Sequence, residues 1–328
     1  MAAAAHMQRT DSERIDGGFL GVRCADMHCH LDFMLNADEV ARDAAARGMG
    51  MLAVTVTPDS YARLAERPAV CDAPFIRPAV GWHPWWVPAD AAHLADGFDC
   101  FDRACGLQAA RSGDGVLRVG EIGLDYAPGR IACAPCQQAV FEHALSRLAA
   151  HGSAVASIHC VRAYDDALDI IERTGAPDAG TACIFHWFSG TSDQLNRAIR
   201  MGCLFSVSER MLASKKGRAY VRAMPLSRIV LETDAPQGGS EFERGLPSEG
   251  ASPAGASSAG MSSAEAPRGA CRPVSFADLD HSLDRTLSLI SELRHEDAAP
   301  FIAATSSALL GPATAAAVRS AGYPDALR

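Results

Sequence analysis

Short apolar runs bounded by polar or glycine-rich residues recur along the chain, and between them lie longer stretches whose apolar positions return at helical spacing. Val22–Ala25, Met51–Thr57, Phe75–Val80, Val116–Gly120, Ala154–Ile158, Thr181–Phe185, Cys203–Val207 and Ile229–Leu231 read as strands. The intervening Asn36–Arg47, Pro58–Glu66, Ala89–Ser112, Gln137–Ala150, Tyr164–Arg173, Ser192–Arg200 and Ser214–Arg222 read as helices, as do Ser275–Leu293 and Asp297–Leu310 further on. Gln137–Ala150 is the clearest of them, with Val140, Phe141, Ala144, Leu145 and Leu148 on one face. Strand and helix thus alternate eight times, which predicts an α/β fold of the (β/α)8 TIM-barrel kind, with the last two helices completing the outer ring. Between residues 238 and 272 the composition shifts to Gly, Ser, Ala and Pro, as expected of a flexible insertion. The expected organisation is a leader over residues 1–21, a barrel over 22–310 carrying that insertion, and a tail over 311–328.

Composition narrows the function classes. The 328 residues suffice for a large buried core, and the net charge of −9 leaves no broad basic surface to attract nucleic acid at long range, so any such contact must be local. Cysteines number 11, an odd count without a regular framework; with no signal peptide this points to reduced thiols and a cytoplasmic setting. Cys133-Ala134-Pro135-Cys136 has redox-motif spacing but precedes a helix in a loop, outside a thioredoxin-like arrangement. No apolar run is long enough for a bilayer, and nothing marks an obligate protein partner.

The chemistry concentrates where the strand runs give out. In an extended chain residues two apart face the same side, so His28 and His30 can offer both imidazoles to one ion. His83, Glu121, His159, His186 and Asp234 occupy the equivalent place after later runs. In a (β/α)8 barrel these ends converge on one rim, where active sites sit. Such a set sorts into a two-ion site: His28, His30 and Asp234 on one cation, His159 and His186 on the other, with Glu121 spanning both. Mixed imidazole and carboxylate ligation suits Mg²⁺, Mn²⁺ or Zn²⁺ and does not choose among them.

Six blocks in sequence order carry a resemblance: Asp26-Met27-His28-Cys29-His30-Leu31-Asp32, Gly81-Trp82-His83-Pro84, Gly120-Glu121-Ile122-Gly123-Leu124-Asp125-Tyr126, Ile158-His159-Cys160-Val161-Arg162, Phe185-His186-Trp187-Phe188-Ser189-Gly190 and Leu231-Glu232-Thr233-Asp234-Ala235-Pro236. Together they resemble the motifs of the TatD-type metal-dependent deoxyribonucleases. The resemblance implies an amidohydrolase-like barrel that cuts phosphodiester bonds in DNA. It also implies His28, His30, Glu121, His159, His186 and Asp234 as metal ligands, and His83 and Arg162 as contacts to substrate phosphate. The chain departs from that pattern at Trp187, where a small residue is common, and at Ser306-Ser307, where an asparagine is common.

A cation-activated water is the expected nucleophile, with Asp234 and Glu121 as the catalytic carboxylates, and single strands or strand ends as the substrate. Trp82, Trp85, Trp86 and Trp187 fall near the rim and are candidates for stacking a base. Asp125 and Glu232 are candidate partners that fix histidine tautomers. Two rivals remain: a small-molecule amidohydrolase acting on an amide or ester, and an inactive barrel that only binds a partner. Many two-ion amidohydrolases bridge their metals through a modified lysine, yet the only lysines here are Lys215 and Lys216.

Overall fold

Parallel strands β1 (Cys24–Cys29), β2 (Met49–Ala53), β3 (Ile76–Pro78), β4 (Val80–Trp82), β5 (Leu117–Asp125), β6 (Ala154–Val161), β7 (Thr181–His186), β8 (Leu204–Val207) and β9 (Ile229–Leu231) pair in chain order, with a break between β3 and β4. This computed structural model describes residues 24–129, 133–236 and 272–311. The expected leader, nearly all of the 238–272 insertion and the tail beyond Gly311 lie outside the described residues.

β3 and β4 are two halves of the expected third strand. They are joined through Ala79, whose N–H donates to the Ala53 carbonyl at 2.9 Å. The ring closes where the Asp234 N–H donates to the His28 carbonyl (2.9 Å) and the His30 N–H to the Ala235 carbonyl (2.7 Å). Eight strand positions therefore make a closed parallel barrel, as the alternation predicts.

Helices α1 (Ala37–Ala46), α2 (Pro58–Leu64), α3 (Pro68–Cys71), α4 (Leu94–Ser112), α5 (Ala134–His151), α6 (Tyr164–Thr174), α7 (Ser192–Arg200), α8 (Glu209–Ala213), α9 (Lys215–Ala223), α10 (Phe276–Arg294) and α11 (Ala299–Leu310) fill the connections. Their ends follow local chemistry. Thr57 and Thr191 accept from the N–H groups of Ser60 and Gln194 to start α2 and α7. The short α3 and α8 lack enough periodic positions to be seen in sequence. None of the described helices is long and apolar enough to cross a membrane.

Side-chain alternation divides the core into two layers. Leu117, Val119, Ala156, Ile158, Cys183, Phe185, Phe205 and Leu231 face outward to the helices, while Ala25, Met27, Val54, Val155, Ala182, Ile184, Leu204 and Val230 fill the barrel interior. Continuing the regular alternation of β6 and β7 carries His159 and His186 inward at the rim. In β1 and β5 the register slips, between Asp26 and Cys29 and between Val119 and Ile122. Met27 and Cys29 keep opposite layers across the first slip, and Val119 and Ile122 share the outer layer across the second. The extra residue in each case lets His28 and Glu121 join the inner face. Both strands also outrun their expected lengths, because their last residues are ligand-type side chains rather than apolar ones.

The opposite end of the barrel is plugged, and here the fold departs from expectation. The end of α11 does not complete the outer ring: Leu309 and Leu310 enter the interior layer. The fully buried Arg118 sits beside them, bonded to Asp114 Oδ2 (2.8 Å) and Oδ1 (3.1 Å) and to the carbonyls of Leu309 and Gly311 (3.4 Å each). Arg77 Nε donates to the Leu310 carbonyl at 3.0 Å. Two guanidinium groups thus satisfy carbonyls that the end of a helix leaves unpaired. Arg272 likewise belongs to the barrel rather than to the insertion, its N–H and carbonyl pairing with Phe33 and Leu35. The ten described cysteines are free thiols, and Cys29 and Cys160 pack in the outer layer as strand alternation requires.

Replacing Asp114 by Ala strands the buried Arg118 charge and should cost about 3–5 kcal/mol in a denaturant titration. The double variant Asp114→Ala/Arg118→Met should recover part of that loss, since the charge leaves with its partner; no recovery would place the stabilising contacts elsewhere.

Candidate metal centre

Glu121 lies near the middle of the rim with its two carboxylate oxygens turned to different partners. Oε2 faces His30 Nε2 at 3.3 Å and His28 Nε2 at 3.6 Å. Oε1 faces His159 Nδ1 (2.8 Å), His186 Nε2 (3.3 Å) and His83 Nε2 (3.4 Å). Asp234 Oδ1 completes the first group, 3.7 Å from His28 Nε2 and 3.8 Å from His30 Nε2. All but the His159 contact are longer than a good hydrogen bond. They approach instead the spacing of about 3.4 Å that two donors adopt on a tetrahedral ion with bonds of about 2.0–2.2 Å. His28 Nε2 is buried with no hydrogen-bond partner among the described residues, as a nitrogen lone pair reserved for a cation would be. The donor set fits divalent metal.

The far nitrogens of these imidazoles each face a polar group, those of His28 and His159 at hydrogen-bond distance. His28 Nδ1 is 2.7 Å from Ser157 Oγ, His159 Nε2 is 3.2 Å from Asp125 Oδ2, His186 Nδ1 is 3.6 Å from Glu232 Oε2, and His30 Nδ1 is 3.8 Å from Asp32 Oδ1. Asp125 is in turn bound by Trp85 Nε1 (2.6 Å) and the Ala127 N–H (2.8 Å), and Glu232 accepts from Ser206 Oγ. Asp125 therefore bonds its histidine as the sequence suggests, while Glu232 stands beside His186 beyond hydrogen-bond distance. Ser157 and Asp32 were missed, though each lies two residues from a ligand-type histidine along the chain. Asp26 accepts from the Thr233 N–H (3.0 Å) and Oγ1 (2.6 Å), anchoring the turn that presents Asp234 with φ 55°. Gly123 lets β5 lie against β6 beside this cluster, since a Cβ there would meet the His159 carbonyl oxygen at 1.9 Å.

The sequence profile of the TatD related DNase family matches residues 25–252. The chain belongs to that family. Deoxyribonuclease TATDN3 of Homo sapiens is 27% identical over 230 residues, spanning 67% of this chain and 81% of the human one. The 3'-5' ssDNA/RNA exonuclease TatD of Yersinia pseudotuberculosis is 28% identical over 198 residues, 58% of this chain and 70% of its own. Among solved structures, the TatD homologue YjjV of Escherichia coli superposes with a TM-score of 0.59 at 22% identity, covering 92% of this chain and 97% of that one, a likeness of fold.

In this TatD-family chain the metal cluster opens into a cavity of about 490 Å³ lined by His30, His83, Trp85, Trp86, Glu121, His159, His186, Trp187, Arg210 and Asp234. Six of the expected ligands and His83 are thus brought together. Arg162, in left-handed conformation after β6, lines an adjoining groove with Tyr126, Tyr164, Gln194 and Lys216. One expectation is corrected. Trp82 is buried against Phe98 and Phe101, since strand alternation turns it outward as it turns His83 inward. Arg210 was not foreseen, because it follows β8, where no motif marks the rim.

Protonation in the absence of metal reflects competition between burial and charge. Burial pushes Glu121 up, but the nearby His83 and His28, the hydrogen bond from His159 and the close approach of His186 outweigh it and hold the carboxyl well below its usual range. Burial opposes charge on His186 and His159, yet the carboxylates beside them, Glu121 and Glu232 for His186 and Asp125 and Glu121 for His159, raise both. His83 differs: burial lowers it to about 4, and its Nδ1 accepts from the Trp85 N–H at 3.1 Å. A neutral imidazole with an accepting Nδ1 carries its proton on Nε2. His83 is therefore a donor facing the cavity, not a free lone pair.

Because His159 and His186 hold protons below their raised pKa values, metal must expel them, and affinity should climb with pH. Calorimetric titration of metal-free protein at pH 7 in buffers of different ionisation enthalpy should show net proton release; buffer-independent heats would contradict this assignment. Asp125→Asn should weaken metal affinity by about 10–100-fold.

Proposed function

We propose that this chain is a two-metal phosphodiesterase acting on DNA, with single strands or strand ends as its substrate. The observation that supports it most is the buried Glu121 carboxylate, with His28 and His30 facing one oxygen and His159 and His186 the other. In this reading His28, His30 and Asp234 would hold one cation and His159 and His186 the other, with Glu121 shared between them, and Mg²⁺, Mn²⁺ or Zn²⁺ would suit the site. The names of the human and Yersinia relatives, a deoxyribonuclease and a 3'-5' ssDNA/RNA exonuclease, agree with it. A single barrel unit over 22–310 and a cytoplasmic setting accompany this proposal.

When bound, the divalent ions supply Lewis-acid stabilisation of phosphoryl oxygens and a water acidified toward neutrality. The chain's own groups do the rest. Asp234, its pKa raised by burial against the pull of His186, His28 and His30, takes the proton of the attacking water. His83 Nε2–H donates to a phosphoryl oxygen, and Arg162 meets a phosphate further along the strand in the adjoining groove. The rings of Trp85 and Trp86, 6.2 Å apart and stacked at the cavity wall, offer faces for a base.

The small-molecule amidohydrolase reading lacks its lysine. Lys216 Nζ bonds the Ser189 carbonyl at 2.8 Å in the groove, and Glu121 occupies the bridging place. An inactive barrel would be marked by a missing ligand, and none of the six expected ligands is missing.

Purified protein loaded with Mn²⁺ should cleave single-stranded DNA and a chromogenic phosphodiester, and leave an acyl ester intact; the reverse pattern would overturn the proposal. Glu121→Gln should lose both metal equivalents by elemental analysis, and full retention would refute the bridging role.

A further inference from the structure

Among the described residues, Arg210 is the only arginine or lysine that lines the metal cavity. It stands in the first turn of α8, directly after β8, exposed at the cavity mouth. Its guanidinium carbon lies 4.7 Å from the centre of the Trp187 ring. Trp187 follows His186 directly and is held at φ 41°, so the platform under Arg210 is tied to a residue of the metal cluster. The neighbouring acid, Glu209, is engaged by Arg285 at 3.1 Å, and no described carboxylate forms an ion pair with Arg210. The cavity mouth thus presents a guanidinium oriented by an aromatic face and, among the described residues, without a carboxylate partner.

We propose that Arg210, positioned by Trp187, grips the substrate phosphate adjacent to the scissile bond. The inference rests on the phosphodiesterase reading above. Its chemistry is that of a planar fork matched to two phosphoryl oxygens. Arg162 cannot take this place, because it opens on the neighbouring groove. Stacking on Trp187 restricts the guanidinium before substrate arrives, so less freedom is lost on binding. Trp187 acts through Arg210 and is a positioning residue.

The test measures binding of fluorescein-labelled octathymidylate with hydrolysis-resistant phosphorothioate linkages to metal-loaded protein across a salt series, and steady-state cleavage of the unmodified strand. Arg210→Gln should raise Kd and KM about tenfold, change kcat by less than about twofold, and lower the slope of log K against log salt by about 0.7, one phosphate contact on a single strand. Trp187→Ala should move the same quantities in the same direction, Trp187→Phe should restore them, and the double variant should be no worse than Arg210→Gln alone. Arg173→Gln, which removes an exposed charge paired with Glu142 on the outer helices, serves as the control for net charge. Arg210→Gln behaving like that control, while the wild-type protein binds and cleaves normally, overturns the inference alone. Wild-type protein that neither binds nor cleaves the strand overturns the phosphodiesterase reading and the inference with it.

Discussion

Burying one carboxylate among five imidazoles is the constraint on which the rest of the structure depends. Glu121 without partners would be driven to its neutral form by its surroundings. The ring of His28, His30, His83, His159 and His186 reverses that preference and keeps it ionised. The same contacts raise His159 and His186, so protons occupy, in the absence of metal, the place that cations fit. Stability of the rim and affinity for metal are therefore two readings of one set of charges, and a change to any member alters both.

Holding that cluster requires small departures from regular strands. β6 and β7 deliver His159 and His186 by plain alternation, but β1 and β5 each slip register to turn His28 and Glu121 inward. Gly81 permits a similar approach on the neighbouring strand, where a Cβ would meet the Thr55 carbonyl oxygen at 1.6 Å. The far end of the barrel is organised oppositely. There Arg118, Asp114 and Arg77 meet the end of α11 as a polar plug, the two guanidinium groups bonded to a carboxylate and to helix-end carbonyls. One end is closed by ion-paired and carbonyl-bonded guanidinium groups, while the other keeps a buried imidazole nitrogen, His28 Nε2, unpartnered among the described residues.

Much of this was legible in the chain because the ligand-type side chains stand at the ends of apolar runs, where barrel geometry converges. The eight-fold alternation fixed the architecture, and the six motifs fixed which side chains meet. What sequence reasoning missed depends on tertiary contact. Arg210 lies after a strand that carries no ligand, and its importance comes from the cavity it borders and the ring it covers. Arg162 follows His159 closely, yet a left-handed residue at that position turns it to the next groove. Trp82 resembles its neighbours Trp85 and Trp86 in composition, and only the inward turn of His83 shows that it must point the other way. The role of α11 was hidden because its small and apolar residues read equally well as outer packing or as a plug.

The most direct measurement is an anomalous-scattering map from crystals grown with Mn²⁺ or Zn²⁺. Two peaks are expected, one near His28, His30 and Asp234 and one near His159 and His186, with one Glu121 carboxylate oxygen on each. A single peak, or a pair with Glu121 bound to neither, would contradict a carboxylate-bridged centre.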